Sequence, residues 1–312
     1  MHQSSGSFSP DQPPVTPDAV RGSWVERMPS GWQPYLRLSR LDRPIGTWLL
    51  LLPCWWSASL ASASTGQGFP DLTLLLLFAL GAIAMRGAGC TFNDIVDRDI
   101  DARVARTRNR PLPGGHVTLA QAWVWLFMQC LVGLAVLLML TPAAQVVALG
   151  SIALVAAYPF MKRITWWPQA WLGLTFNWGA LVGWSAVTGD WPALPALLMY
   201  AAGVFWTLGY DTIYAFQDME DDALVGVRSS ARRLGSHGRA GVSVFYMLTS
   251  VLLLACLFAA GSGKVWLLLP AFVHMAWQVR TLRPENTPLC LHLFRSNRDC
   301  GLLVWGACLF AM

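Results

Sequence analysis

Two short stretches concentrate the side chains able to do chemistry. The first runs Asn93-Asp94-Ile95-Val96-Asp97-Arg98-Asp99-Ile100-Asp101. On a helix, Asn93, Asp97 and Asp101 stand at i, i+4 and i+8, which puts all three on one face. Like charges at that spacing repel one another, so a cation is expected to neutralise them. Carboxylate and amide oxygens suit a hard divalent ion, and Mg²⁺ prefers a few carboxylates plus phosphate oxygens. The second stretch runs from Tyr210-Asp211 to Gln217-Asp218-Met219-Glu220-Asp221-Asp222. Asp211, Asp218 and Asp222 fall at i, i+7 and i+11, again one helical face. Two such faces meeting at one rim of a bundle suit two Mg²⁺ ions bridged by a diphosphate. Basic and phenolic residues complete the set. Arg86 lies two turns before Asn93, inside an apolar run, and an arginine there is expensive enough to be functional by default. Tyr158, Lys162 and Arg163 form a basic end to another apolar run.

The elements that must carry these residues follow from composition. The chain has 312 residues, 55% hydrophobic and only 12% charged, with a mean hydropathy of +0.45. Soluble domains carry about 25% charged residues, so this is an all-α polytopic membrane protein embedded in the lipid bilayer. Disordered, collagen-like and coiled-coil chains are excluded by the same numbers. The seven cysteines have no CxxC spacing, which argues against a zinc site or a disulfide framework. Apolar runs stand at Ile45–Ala63, Leu72–Cys90, Ala122–Leu140, Ala143–Phe160, Ala170–Val187, Ala193–Tyr214, Ala240–Ala260, Val265–Val279 and Gly301–Met312. They predict nine transmembrane helices, with the second continuing past the hydrocarbon edge to carry Asn93, Asp97 and Asp101. Residues 1–34 read as a flexible cytosolic tail, and 35–312 as the membrane domain.

Of the 22 Lys and Arg residues, 20 fall in the tail before the first run and in alternate loops after it; the exceptions are Lys264 and Arg86. That asymmetry predicts a cytoplasmic amino terminus and puts both acidic stretches on the same side. The net charge of +5 is thereby a topology signal, and no nucleic-acid partner is expected.

These residues resemble the UbiA superfamily of intramembrane aromatic prenyltransferases. The resemblance rests on Asn93-Asp94-x-x-Asp97-x-x-x-Asp101 followed by Arg108-Asn109-Arg110-Pro111-Leu112-Pro113-Gly114-Gly115. Arg43-Pro44-Ile45-Gly46, Tyr158-Pro159-Phe160-Met161-Lys162-Arg163, Phe176-Asn177-Trp178-Gly179 and the Asp211–Asp222 stretch add to it. It covers roughly residue 35 to the end and is strongest for the bacterial branch that prenylates 4-hydroxybenzoate in ubiquinone synthesis. It implies a nine-helix fold in a bacterial inner membrane, with the active site on the cytosolic side and a polyprenyl diphosphate as donor. It further implies that Asn93, Asp97 and Asp101 bind one Mg²⁺ and Asp211, Asp218 and Asp222 the other. Tyr158 and Lys162 would contact the diphosphate. Arg86, with Arg43 or Arg163, would hold the 4-hydroxybenzoate carboxylate. Haem and naphthoate stay open as acceptors. A cation carrier is the reading from another class, although carriers place their acids near the bilayer midplane.

Overall fold

The computed structural model describes residues 22–102, 107–219 and 226–311, the side chains of Ile100 and Lys162 excepted. Asp222, with its neighbours Glu220 and Asp221, and the side chain of Lys162 therefore lie outside what it describes, as do residues 1–21. Among the described residues the regular elements are all helical.

One 3-10 turn at Trp24–Arg27 buries Val25, within the stretch expected as tail. The short helix α1 (Gln33–Leu38) follows, with Leu36 and Leu38 buried. Helix α2 (Ile45–Ser64) is the centre of the bundle, with most of its side chains buried. Next come α3 (Leu72–Asp101), α4 (Leu119–Leu138) and α5 (Pro142–Ile164). Helix α4 begins with a capping box made by Thr118 and Gln121. It buries only Ala122, Gln129 and Val136, a seven-residue repeat that draws one narrow stripe against α3. Phe127, Leu131 and Leu138 on its other faces stay exposed, as helices do when they meet lipid.

The fifth apolar run is two helices, α6 (Pro168–Phe176) and α7 (Gly179–Thr188). Asn177 sits at the break, fully buried, and its amide donates to the Gly173 carbonyl and to Thr207 Oγ1. Hydropathy records apolar content and not continuity, so the run reads as one span although a buried amide interrupts it. Helix α8 (Leu194–Ala215) packs along α6, α7 and α10. A 3-10 turn, Phe216–Asp218, prolongs it. Further along the chain lie α9 (Ser230–Leu234) and α10 (Gly238–Ala259). The eighth run begins as a 3-10 turn, Val265–Leu268, and continues as α11 (Leu269–Thr281). Helix α13 (Asn297–Leu309) closes the chain against α2.

A short helix that apolar content does not announce, α12 (Thr287–Arg295), precedes it. Its Phe294 stacks on Tyr210 and Tyr214 at the end of α8, with ring centroids 5.9 and 4.6 Å apart. Among the described residues, five helices are long and apolar enough to cross a membrane; of the other runs, the sixth is the unbroken 22-residue α8 and the rest use shorter or broken helices. Polar glue holds the carboxyl-terminal helices. Asn297 accepts from Trp206 Nε1 at 3.0 Å and exchanges hydrogen bonds with Gln278, which accepts from the Tyr246 hydroxyl at 2.7 Å. In an apolar medium such cross-helix bonds replace the hydrophobic effect as the source of helix pairing.

Candidate active site

Helix α3 runs unbroken through the first acidic stretch to Asp101, so Asn93, Asp97 and Asp101 share the expected face. Asp97 and Asp101 are buried and Asn93 is partly exposed. Their neutralising cations come from three separate segments. Arg163, at the end of α5, reaches Asp97 Oδ1 at 3.1 Å. Arg110, from the loop after α3, reaches Asp101 Oδ2 at 2.7 Å and Asp94 Oδ1 at 3.2 Å. Arg40, just after α1, grips Asp94 with one amino group at 2.6 and 2.9 Å.

Asp94 has no solvent exposure. No role is legible for it in the sequence beyond its place beside Asn93, and none at all for Arg40. Arg40 adopts φ of 58°, uncommon for a residue other than glycine, and this turn aims its side chain at α3. Burial is the largest single influence and works against the Arg40 charge, but Asp94, with Cys90 and Asp42, together outweighs it, and the guanidinium pKa rises above its ordinary value. Asp94 is thus a structural tie between the lead-in segment, α3 and the Arg110 loop. Arg43 forms a fork with its neighbour Asp42, the closer contact being 3.1 Å.

The second stretch differs from one continuous α-helical face. Helix α8 ends at Ala215 and Asp218 closes a tighter 3-10 turn. The two acids nevertheless interact electrostatically with each other, and Asp211 does so with Arg86. The Tyr158 phenol, on α5, lies within electrostatic reach of Asp211, Arg86 and Asp97 together. Tyr158 thus lies near an acid of each stretch. The guanidinium of Arg86 lies over the Phe176 ring, with Cζ 5.2 Å from the centroid.

The donor set fits magnesium. Among the described residues no three of the His, Cys, Asp and Glu side chains approach closely enough to cage an ion unaided. Mg²⁺ takes only one or two carboxylates and completes its shell with water and phosphate oxygens. Asn93, Asp97, Asp101, Asp211 and Asp218 are oxygen donors of that kind.

A family model decides the affiliation: the UbiA prenyltransferase family matches residues 50–297. The chain belongs to that family. It is 47% identical over 311 residues to the human mitochondrial 4-hydroxybenzoate polyprenyltransferase, covering 94% of this chain and 81% of that one. With the mitochondrial enzyme of the same name from Arabidopsis thaliana it shares 43% identity over 286 residues, 91% of this chain and 70% of the other. Among solved structures, a UbiA homologue from Aeropyrum pernix K1 superposes with a TM-score of 0.68 at 24% identity, over 84% of this chain and 96% of that one. A UbiA homologue from Archaeoglobus fulgidus bound to GPP and Mg²⁺ gives 0.65 at 18% identity, over 88% and 99%. These establish the UbiA membrane-enzyme fold.

They also correct one expectation. The bacterial inner membrane does not stand, because the strongly similar relatives are mitochondrial enzymes of animals and a plant. The physical reason is that Lys and Arg asymmetry separates the two sides of a membrane but carries no mark of which membrane it is.

Proposed function

We propose that this UbiA-family membrane enzyme transfers a polyprenyl group from polyprenyl diphosphate to the ring carbon ortho to the phenol of 4-hydroxybenzoate, as a step of ubiquinone synthesis. The observation that carries the reading is the position of Tyr158 within reach of Asp97 from one acidic stretch and Asp211 from the other. The curated relatives named for this reaction, at 43–49% identity, support it, as does the GPP- and Mg²⁺-bound homologue.

Asn93, Asp97, Asp101, Asp211 and Asp218, with Asp222, would hold magnesium, in two sites by the symmetry of the two walls. When bound, magnesium supplies positive charge to the departing diphosphate. Tyr158 and Lys162 act on the same diphosphate as hydrogen-bond donor and cation, while Arg163, paired with Asp97, stays a candidate for the acceptor carboxylate. The allylic C–O bond breaks with its electron pair passing to the diphosphate oxygen. Arg86, with Arg43 as a further candidate, holds the acceptor carboxylate and so points the ring toward the allylic carbon. The ortho carbon attacks, a new C–C bond forms, and the ring proton leaves to a carboxylate such as Asp211. Apolar helices exclude water from the allylic cation meanwhile.

Membranes carrying the protein, given polyprenyl diphosphate and labelled 4-hydroxybenzoate, should yield a lipid-extractable product only with Mg²⁺ present. A product from haem or naphthoate and none from 4-hydroxybenzoate would overturn the acceptor. No transfer to any acceptor would sink the enzyme reading and bring back the cation carrier.

A further inference from the structure

We infer that Gly46 is a positioning residue for Arg86, and that its missing side chain is what lets the guanidinium reach its working place. Gly46 lies in the first turn of α2 and is buried. A Cβ built there would stand 2.5 Å from Arg86 Nε, 2.6 Å from Nη2 and 2.9 Å from Cζ. Real carbons do not approach so closely, so any other residue at position 46 pushes the guanidinium aside. The two nitrogens are the nearest atoms, which means that one edge of the guanidinium rests against the bare Cα. Phe176 covers a face of the same group from α6, 5.2 Å away. Braced on an edge and a face by two other helices, the Arg86 fork has little rotamer freedom left to lose on binding an anion.

The group so held faces the site. Arg86 interacts electrostatically with Tyr158, Tyr210 and Asp211. Among the described residues no hydrogen bond or ion pair engages it at contact distance. A guanidinium in an apolar wall, fixed in orientation and without a close partner, is a preorganised receptor for a planar carboxylate. The helix itself gives no reason for glycine: alanine is the better helix former, and Gly46 has no left-handed φ. Space for Arg86 is the remaining explanation.

The consequence rests on the acceptor role proposed for Arg86, and the test separates the two. Gly46→Ala should raise KM for 4-hydroxybenzoate roughly ten- to hundredfold, as a misplaced orienting group does. KM for the polyprenyl diphosphate should change little, and thermal stability in detergent should hold or rise. Placed in an Arg86→Ala background, Gly46→Ala should have almost no further effect. Phe176→Leu, which keeps bulk and removes the ring face, should behave the same way and serves should the alanine variant fold poorly. Equal losses from Gly46→Ala with and without Arg86, or an unchanged acceptor KM in the single variants, would overturn the positioning role. If Arg86→Ala and Gly46→Ala shift the donor KM instead, and remain non-additive, the coupling stands and only the choice of substrate for Arg86 fails.

Discussion

Asp94 and Asp97 lie one helical turn apart on α3 and should fail in different ways. Asp94 is sealed from solvent between Arg40 and Arg110, so Asp94→Ala strips the buried Arg40 of its ion-pair partner, while Arg110 keeps Asp101. Breaking a buried pair from one side costs about 3–5 kcal/mol, and the expected result is a lowered melting temperature in detergent. Asp97 meets Arg163, whose side chain is 45% exposed, so its partner can move into water. Asp97→Asn keeps shape and hydrogen bonding and should fold normally while Mg²⁺-dependent turnover drops roughly a hundredfold or more. An Asp97→Asn enzyme with normal turnover would remove that residue from the metal set. The acid spacing on α3 was readable because it is local, repeating every four residues along one helix. Arg40, Arg110 and Arg163 were not readable as its partners, because 54, 16 and 66 residues separate each from the acid it meets. Arg110 and Arg163 stand in the motifs, but which acid each one meets belongs to the packing.

Helices set how far apart the two acidic walls stand. The long α3 and the end of α8 followed from apolar runs that continue into charge, and both are present at the expected positions. Two other elements did not follow. Helix α12 has too little apolar content to announce itself, yet its Phe294 braces Tyr210 and Tyr214 beside Asp211. The α6–α7 break is set by Asn177, whose amide bonds Thr207 on α8, which in turn donates to the Tyr210 hydroxyl. That chain of hydrogen bonds ties the break to the residue next to Asp211. Asn177→Ala should cost about 1–3 kcal/mol of stability by leaving buried groups unpaired. It should also weaken turnover through Tyr210, and stability and turnover measured on the same sample would check both. Loss of neither would make the break a packing accident.

At the scale of the whole molecule the question is what the bundle owes to its ions and to its polarity. Helix packing, the Asn297–Gln278 network and the arginine pairs on α3 are contacts between protein groups alone. Chelation by EDTA should therefore stop turnover and leave the melting temperature nearly unchanged, unlike a structural zinc site, where metal and fold are lost together. Polarity can be read independently of activity. By the alternation of basic loops, the α3 end at Asp101 and the α8 end at Ala215 are expected on one side and the α7–α8 connection holding Asp190 on the other. Of the seven native cysteines, all free, five are buried and Cys54 and Cys130 partly so, which leaves little native thiol for an impermeant maleimide to reach. In that background His116→Cys, in the exposed loop after α3, and Asp190→Cys should react with a membrane-impermeant maleimide from opposite sides of sealed vesicles. Labelling from the same side would break the alternation of loops on which the joint site depends. The two acidic walls would then have no common face on which to hold one diphosphate.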